Sequence, residues 1–576
     1  MENEKGKLRN DRWVSSSKDY TFLNRLPRYL LLLVTAIVLL YGVIYPNLHL
    51  LIGSLQRDGE WSLVNYQTVF SQAIILESTL NSIALSLATV FFCALLGLPL
   101  AFVFERYTFP GRRIFATLAA LPLVLPPLVG TVAFIFLCGE SGILARGVQF
   151  IFDLQSAPWS LRGWVALLLF HTYTMYPFFY VLTGAGLRRI DAGLAEAGRS
   201  LGASRRRVLF RVVLPQLTPS LLAAALLTFM TSMASFSAPL FFGGNVRVLT
   251  LEIFNARQRG DMTLAVTQTV VLGVISLAAL LLFQRYEGTR RFVAAAMKGT
   301  PRPRRPITDG RARTAATLCG TLFSILLALP VLTLVLVSLA TEGQWTTQTL
   351  PPSYTLANFG RLLSNPNSSE PFLNSLAMSG IAAFAALLWS FCVATLVTRG
   401  GKRLWKRVLS LLVLVPWALP GTVVAVTIAD AYGQPSWLMG SFVLVGTFWI
   451  LPVIYFLRFM PLVVRSVQAS MEQLDPALEE AAGTLGAGWW QRFTRVSLPL
   501  TLPGAVAGSL LAFVIALGEY VASVLVFVPA NRPVSIAIAS ELRDFNLGTA
   551  AAYGVVLIGI IALTMVATSK LEHWRT

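Results

Sequence analysis

Twelve long apolar runs constrain the fold of this 576-residue sequence more than any other feature. A helix crosses the hydrocarbon core of a bilayer with about 20 mostly apolar residues. The runs lie near 29–54, 81–104, 114–138, 162–184, 216–241 and 263–284, and then near 315–340, 375–398, 408–430, 439–458, 501–528 and 549–568. Only 13% of the residues are charged, about half the usage of soluble proteins. The sequence therefore predicts an all-α polytopic membrane protein and excludes secreted, disordered and fibrous chains.

The formal net charge of +19 is explained by the way basic residues are placed between the runs. They cluster before the first span, after the second, fourth and eighth spans, and between the two sets of six. Lys and Arg favour cytoplasmic loops, so we expect both termini in the cytoplasm and no nucleic-acid partner. The cysteines, Cys93, Cys138, Cys319 and Cys392, have no metal-ligand or redox spacing and are interpreted as buried thiols.

The twelve predicted spans form two halves of six. We expect a cytoplasmic tail over 1–27, a first half over 28–285, a second half over 314–570 and a cytoplasmic tail over 571–576. The stretch 286–313 is polar and rich in Pro and Arg, which is typical of a flexible linker. Because each half has an even number of spans, both lie the same way up, as parallel repeats about an axis along the membrane normal.

One polar loop occurs twice, over 188–215 and 472–499, with an offset of 284 residues. Asp191 and Asp475 suit the N-cap of a short helix, and Gly202 and Gly486 suit its end. Weaker echoes are Asn81-Ser82 with Asn374-Ser375, and Pro122 and Pro126 with Pro416 and Pro420. Each loop is predicted to form a compact helix–turn–helix that projects from the membrane. Two copies of this loop on the same side of the membrane indicate a binding surface for another protein.

This loop resembles the signature of permease subunits of binding-protein-dependent ABC importers. That signature is Glu-Ala-Ala, three residues, Gly, nine residues, an aliphatic residue, one residue and Leu-Pro. It is matched by Glu480, Ala481, Ala482, Gly486, Val496, Leu498 and Pro499, and in the first copy by Glu196, Ala197, Gly202, Leu214 and Pro215. Gly198 stands where the second Ala of the first copy belongs. A fused chain of this size most resembles the ferric-iron and thiamine permease branch.

The resemblance implies a multi-pass permease of the bacterial inner membrane, surrounded by lipid. Its two loops would couple it to two copies of an ATP-binding subunit, and a periplasmic binding protein would deliver substrate on the outer side. The sequence has no G-x-x-x-x-G-K-[ST] phosphate loop. We therefore expect ATP and Mg on the partner, no cofactor and no catalytic residues in this chain, and no enzymatic activity of its own. Ferric iron is the first substrate implied, and thiamine, phosphonate, polyamine and oxyanion remain alternatives. An ion-coupled secondary transporter would also have twelve spans in parallel halves, but it does not explain the paired loops.

Two positions within the predicted spans are candidates for a translocation pathway. Glu519 lies in the eleventh predicted span, and Ser235 is its counterpart in the fifth. A carboxylate at the centre of a span costs ~2.5–3.5 kcal/mol, so Glu519 is expected to face the bundle interior, either as a pathway group or as a structural hydrogen-bond acceptor.

His171, Tyr173, Tyr176 and Tyr180 could ligate a hard metal, but tyrosine is also common at membrane interfaces. One histidine makes no site, so no metal site is predicted.

Overall fold

The computed structural model describes residues 29–57, 59–190, 192–294, 303–345, 348–399, 403–435 and 440–573. Eleven of the described helices are long and apolar enough to cross a membrane, or up to twelve if one sharply bent pair counts as a single span. The prediction of an all-α polytopic membrane protein is thereby confirmed. The predicted tail 1–27, the predicted N-cap Asp191 and residues 295–302 of the predicted linker lie outside the described residues.

Twenty-three helices account for most of the described chain. Those of the first half are α1 (Tyr29–Ser54), α2 (Val64–Ser71), α3 (Ala73–Arg106), α4 (Arg112–Leu118), α5 (Pro127–Cys138), α6 (Ile143–Phe152), α7 (Gly163–Arg189), α8 (Ala192–Ser200), α9 (Arg205–Met233), α10 (Ser237–Phe242), α11 (Leu249–Gln258) and α12 (Met262–Ala294). Those of the second half are α13 (Gly310–Ser338), α14 (Ala357–Ser364), α15 (Pro366–Arg399), α16 (Arg403–Ala418), α17 (Gly421–Ala431), α18 (Ile450–Glu472), α19 (Pro476–Thr484), α20 (Trp489–Leu517), α21 (Ser523–Val526), α22 (Val534–Arg543) and α23 (Leu547–His573). Two pairs of two-residue strands join loops: β1 (Gln56–Arg57) is antiparallel to β2 (Glu60–Trp61), and β3 (Tyr107–Thr108) is parallel to β4 (Arg305–Pro306).

The third and ninth predicted spans are broken, which corrects the prediction of continuous helices over 114–138 and 408–430. In the first half α4 ends at Leu118, a 3-10 turn spans Leu121–Val124, and α5 begins at Pro127. In the second half α16 and α17 meet at an angle of 102°. Proline lacks a backbone N–H and disfavours a helical residue before it. Pro126 and Pro420 are both extended, with ψ of 138° and 150°, so the repeated prolines mark these breaks.

Three other predicted spans have wrong ends. The fifth and eleventh were expected over 216–241 and 501–528, but α9 ends at Met233 and α20 at Leu517, each followed by a short helix. The tenth was expected over 439–458, but α18 begins only at Ile450 and runs on to Glu472. Gly440 and Gly446 precede it with φ of 63° and 86°, a left-handed backbone that glycine tolerates and a helix excludes.

The repeated Asn-Ser pairs each place a serine next to the first residue of a helix, Ser82 in the first half and Ser375 in the second. The Ser82 hydroxyl accepts a hydrogen bond from the Leu249 N–H at 2.8 Å, at the first residue of α11. The Ser375 hydroxyl accepts one from the Val534 N–H, also at 2.8 Å, at the first residue of α22. Both bonds are buried, so each serine satisfies a donor that a helix start leaves without an intrahelical partner.

A second pair of side chains repeats in the same way, although the sequence comparison did not find it. Asn65 donates from Nδ2 to the carbonyls of Ser54 and Gln56 at 3.1 and 2.9 Å. Asn358 donates from Nδ2 to the carbonyls of Ser338 and Ala340 at 2.9 and 2.8 Å. Each asparagine therefore ties a short helix to the end of the first span of its half.

The two halves contact each other through α5 and α17, the helices that follow the breaks within the third and ninth spans. From the first half, α5 packs against α13 and α23 of the second. From the second half, α17 packs against α1 and α12 of the first. A Cβ at Gly518 would lie 2.7 Å from Cβ of Pro126, so the chain after α20 closely approaches the break before α5. The boundary between the halves is therefore built from the breaks themselves.

Part of the predicted flexible linker is held against the first half. β4 pairs with β3, and the Ile307 N–H donates to the Thr108 carbonyl at 3.1 Å. Arg304 donates from Nη2 to Glu105 Oε2 at 2.8 Å. The prediction of a flexible linker is thus wrong for residues 303–309, because backbone pairing and an ion pair fix them. Asp309 then caps α13 by accepting from the Ala312 N–H at 3.1 Å.

We expect Ser375→Ala to lower the thermal midpoint of the detergent-solubilised protein. The change leaves the buried Val534 N–H without a partner, which costs about 1–3 kcal/mol. Ser82→Ala should have a similar effect in the first half. Ser71→Ala, which removes an exposed hydroxyl, is the matched control and should leave the midpoint unchanged. An unchanged midpoint in Ser375→Ala would show that this serine does not hold the helix.

Candidate functional site

The two loops singled out in the sequence form the same substructure. We call residues 192–213 the first knuckle and residues 476–497 the second. Each knuckle consists of a nine-residue helix, α8 or α19, a turn, and the first two turns of a long helix, α9 or α20. In both, five residues of π-helix, Leu209–Val213 and Phe493–Ser497, lie directly before the Leu-Pro pair. Every one of these elements begins 284 residues later in the second half, for instance at 476 against 192.

The turn of each knuckle is closed by the same hydrogen bonds. The Ala203 N–H donates to the Gly198 carbonyl at 3.0 Å, and the Ala487 N–H donates to the Ala482 carbonyl at 3.0 Å. Gly202 and Gly486 lie between donor and acceptor, with φ of 80° and 83°. This is the glycine cap that favours a residue without Cβ. Gly198 in place of alanine leaves the bond intact, because only its backbone carbonyl takes part.

The matched signature residues lie on the surface of the knuckles or at their base. Glu196, Ala197, Glu480 and Ala481 are exposed on α8 and α19. Leu214 and Leu498 are half-buried, and the prolines that follow them, Pro215 and Pro499, are exposed. Asp475 caps α19 by accepting from the Ala477 N–H at 2.9 Å. Ser497 donates to Glu479, which ties α19 to the π-helical segment of the second knuckle.

The tip of each knuckle is a leucine that the sequence reasoning missed. Leu201 is 89% exposed and Leu485 is 87% exposed, and each directly precedes the glycine of the turn. A single exposed leucine is ordinary on a protein surface, but here it recurs at the same position of both knuckles. The signal was present in the repeated Leu-Gly-Ala, residues 201–203 and 485–487.

The flanks of the two tips differ in chemistry. Arg205, Arg206 and Arg207 open α9 and are all exposed. The second knuckle carries Trp489 and Trp490 at the start of α20, and Trp489 stacks on Phe493 with ring centroids 5.6 Å apart and planes 2° apart. The tips are therefore alike, whereas one flank is basic and the other aromatic.

The two pathway candidates occupy equivalent breaks in the membrane part of the protein. Ser235 follows the end of α9, and Glu519 follows the end of α20. The prediction that both residues lie within continuous spans is therefore wrong. The next residues, Phe236 and Tyr520, are buried and face each other with ring centroids 6.0 Å apart. The two breaks thus meet where the halves meet, and an aromatic pair fills the space between them.

Glu519 is buried among partners that neutralise it. Its Oε1 accepts from the Ala522 N–H at 3.0 Å and lies 3.5 Å from Nη1 of Arg458 on α18. Its backbone carbonyl accepts from the hydroxyls of Ser523 and Ser535 at 2.7 and 2.9 Å. The carboxylate therefore caps the start of α21 and forms an ion pair between two elements of the second half.

The equivalent place in the first half carries hydroxyls and an imidazole instead of an ion pair. Nε2 of His171 lies 2.9 Å from the Ser235 hydroxyl, and Nδ1 lies 3.3 Å from the hydroxyls of Thr89 and Ser232. The Ser235 carbonyl accepts from the Thr250 hydroxyl at 2.7 Å, as the Glu519 carbonyl does from Ser535. The backbone bond is thus repeated, whereas the side chains around it are not.

The tyrosines near His171 use their hydroxyls to satisfy backbone carbonyls. Tyr176 donates to Ala119 at 2.7 Å and Tyr180 donates to Ala116 at 2.9 Å, both at the broken third span. Tyr173 donates to Leu327 of α13 at 2.9 Å. The structure therefore spreads these side chains over three separate contacts and does not gather them around His171. Among the described residues, no three His, Cys, Asp or Glu side chains are grouped as metal ligands.

Both halves of the sequence are similar to known proteins. The profile of a family described as binding-protein-dependent transport system inner membrane component matches residues 94–287 and 386–575, once in each half. A probable ABC transporter permease protein of Sinorhizobium fredii (strain NBRC 101917 / NGR234) is 32% identical, covering 90% of this chain and 91% of that protein. A ferric transport system permease protein of Actinobacillus pleuropneumoniae is 24% identical, covering 92% of this chain and 76% of that protein. A probable sulfate transport system permease protein of Prototheca wickerhamii is 33% identical, covering 35% of this chain and 82% of that protein.

We expect Gly421→Ala to break the ion pair between Arg458 and Glu519. A Cβ at Gly421 would overlap Nη1 of Arg458, so the guanidinium must leave its place across the start of α17. Gly130→Ala on α5 is the matched control, because its Cβ would lie 3.8 Å from the nearest atom. We expect Gly421→Ala and Glu519→Gln to reduce transport to a similar extent, because both remove the ion pair. Both variants should insert normally into the membrane. Normal transport by Gly421→Ala would show that the pair is not needed.

Proposed function

Because the chain belongs to the family of binding-protein-dependent transport system inner membrane components, we propose that its two knuckles couple an ATP-binding partner to a path between the halves. The chain is a multi-pass inner membrane permease of an ABC importer, and the relatives it matches are transport permeases. The family profile occurs in both halves, so one chain supplies what two separate permease subunits would supply.

The observation that carries the proposal is the duplicated tip. An exposed leucine precedes the capped glycine in each knuckle, with the exposed Glu196-Ala197 or Glu480-Ala481 one helical turn before it. Two equal tips suit two copies of one ATP-binding subunit, each with an apolar cleft. ATP and Mg are held by those subunits, and this chain binds no cofactor and catalyses no reaction of its own.

The knuckles, the linker and both termini lie on the cytoplasmic side in this proposal. Support comes from the contacts of Glu105, which accepts from Arg188 at the end of α7 and from Arg304 of the linker. The pairing of β3 with β4 brings the loop after the second span to the same place. These three basic regions therefore share one end of the molecule, as the preference of Lys and Arg for cytoplasmic loops requires.

A periplasmic binding protein delivers the substrate at the opposite end. The longest segments expected there are 55–80, 139–161, 242–262 and 341–373, which contain α2, α6, α11 and α14. We further propose that the halves are organised as 28–285 and 314–570, each with its own knuckle. The substrate passes between them where Ser235 and Glu519 meet the boundary.

Ferric iron is the proposed substrate. The ferric transport permease of Actinobacillus pleuropneumoniae matches 92% of this chain, across both halves, whereas the sulfate permease of Prototheca wickerhamii matches 35% of it. The relative that shares the fused organisation therefore favours iron over an oxyanion. Thiamine, phosphonate and polyamine import would use the same coupling mechanism.

We expect the double variant Leu201→Glu/Leu485→Glu to lose ATP-coupled transport while it inserts normally. A charged tip cannot enter an apolar cleft, because burial of an unpaired carboxylate is strongly unfavourable. Gly202→Asp with Gly486→Asp should act in the same direction, since both glycines have a positive φ that a side chain opposes. The measurements are co-purification of the ATP-binding subunit and the ATP hydrolysis that the loaded binding protein stimulates.

Gly198→Ala is the matched control for the knuckle variants. It restores the alanine of the family signature, and its Cβ would lie 3.4 Å from Cγ2 of Val208, an ordinary contact. Coupling should therefore persist in this variant. Full coupling in the double leucine variant would contradict the assignment of the knuckles.

The substrate is tested with radiolabelled ferric iron in cells that have or lack this chain. We expect ferric uptake to depend on the chain and to be lost in the double leucine variant. Labelled sulfate, thiamine and a phosphonate serve as comparisons. If uptake of one of these compounds depends on the chain while ferric uptake does not, that compound replaces iron as the proposed substrate. The coupling proposal would remain intact.

A further inference from the structure

One carboxylate joins three separate parts of the chain beside the first knuckle. Glu105 lies near the end of α3, and only 15% of its side chain is exposed. Its Oε1 accepts from Nη1 of Arg188 on α7, and its Oε2 accepts from Nη2 of Arg304 in the linker at 2.8 Å. Removal of one partner from a largely buried ion pair leaves a charge without compensation. Glu105 therefore links the end of α7 to the linker.

The linker presents Arg304 from a fixed position. β4 pairs with β3 directly after Arg304, and the Ile307 N–H donates to the Thr108 carbonyl at 3.1 Å. Asp309 then caps α13. We call residues 303–309 the linker clamp. Because its backbone is already ordered, the ion pair with Glu105 costs less conformational entropy than one formed by a loose chain.

Arg188 lies at the root of the first knuckle, which we define as residues 186–190. It belongs to the last turn of α7, four residues before α8 begins. A Cβ at Gly186 would lie 2.5 Å from Oγ of Ser220 and 2.9 Å from Cδ2 of Leu217, so the root packs closely on α9 where the chain leaves the knuckle. The ion pair therefore acts on both segments that carry the first knuckle.

The same positions of the second half cannot form this ion pair. α3 and α15 are both 34 residues long, and Thr398 stands in α15 where Glu105 stands in α3. The Thr398 hydroxyl donates to the Ala394 carbonyl at 2.8 Å. Glu472 stands 284 residues after Arg188 and is exposed. A hydroxyl has thus replaced the carboxylate, and a carboxylate has replaced one of its cations.

The second knuckle is instead tied within itself. Ser497 donates to Glu479, which joins the π-helical segment to α19. The sequence has Ala195 and Val213 at these positions of the first knuckle, so this bond is not repeated there. The two knuckles are alike in backbone, but they are stabilised by different side-chain contacts.

We propose that the linker clamp positions the first knuckle for docking on the ATP-binding subunit, whereas docking of the second knuckle is independent of the linker. Glu105, Arg188 and Arg304 are positioning residues, because they act through the root of the knuckle. Without the ion pair, the root moves against α3 and the tip at Leu201 loses its fixed direction. This inference rests on the proposed function, since the knuckles are its coupling elements.

The first test measures whether the clamp fixes the tip, and it needs no ATP-binding partner. Cys319 is kept as a reference for spin labels, because it is exposed although all four native thiols were expected to be buried. The other native cysteines are replaced by alanine: Cys93, Cys138 and Cys392. A second label is placed at Leu201→Cys or at Leu485→Cys in lipid nanodiscs. Electron paramagnetic resonance then gives the distance distribution between this label and the label at 319.

We expect Arg304→Ala and Glu105→Gln each to broaden the distance distribution between 201 and 319 and to leave that between 485 and 319 unchanged. Arg305→Ala is the matched control. It removes the same charge from the neighbouring exposed residue, whose side chain has no hydrogen bond or ion pair among the described residues. Arg304→Lys keeps the charge, so the distribution should stay narrow. Equal broadening for both tips, or none for either, would overturn the proposal.

A second measurement relates the clamp to docking. A photo-crosslinking residue is placed at 201 or at 485 of the assembled complex. We expect Arg304→Ala to lower the yield of crosslinks to the ATP-binding subunit about threefold at 201, a modest effect typical of partly exposed ion pairs, and to leave the yield at 485 unchanged. A general structural defect would lower both yields equally, and that result would overturn the proposal.

The two measurements keep this inference separate from the coupling proposal. Equal yields at 201 in Arg304→Ala and Arg305→Ala would overturn the role of the clamp in docking. If the unsubstituted chain crosslinks at neither position, the coupling proposal fails. The distance distributions still decide in that case whether the clamp fixes the first tip.

Discussion

In a bilayer, every backbone donor and acceptor must be satisfied inside the protein, and the rest of this structure depends on that constraint. Continuous helices meet it without help. The protein nevertheless breaks four spans near the boundary between the halves, and side-chain hydroxyls satisfy backbone carbonyls at three of these breaks. Tyr176 and Tyr180 donate to carbonyls at the break of the third span. Thr250 and Ser535 do the same for the carbonyls of Ser235 and Glu519.

These repairs keep the two halves alike in backbone and let them differ in chemistry. The serines beneath α11 and α22 and the glycine caps of the knuckles are repeated position by position. The side chains around the breaks are not repeated: an imidazole faces Ser235, whereas a guanidinium faces Glu519. A backbone that is repeated in both halves suits the binding of two identical ATP-binding subunits. Different side chains in the two halves suit the transport of one substrate, because a single substrate molecule between the halves contacts different groups on each side.

Much of this architecture could be predicted from the sequence, because hydropathy and repetition act locally. The positions of the twelve apolar runs and the Asp475 cap of α19 follow from residue type and spacing. The breaks could not be placed, because proline in a span is tolerated wherever neighbours satisfy the freed groups, and only the fold shows which neighbours those are. Glu519 was expected inside a helix for the same reason. The held segment 303–309 escaped prediction because its partners, Glu105 and β3, are distant in sequence. Leu201 and Leu485 were overlooked because the repeated Leu-Gly-Ala was interpreted through its glycine alone, and the exposure of the leucine side chains is visible only in the fold.

The central claim is that both knuckles insert their tips into ATP-binding subunits on one side of the membrane. Photo-crosslinking tests it most directly, with benzoylphenylalanine placed at position 201 in one sample of the assembled complex and at 485 in another. We predict that each position crosslinks to the ATP-binding subunit, and that the yield changes when ATP is bound. Crosslinks to lipid or to the binding protein from either position, with none to the ATP-binding subunit, would contradict the account.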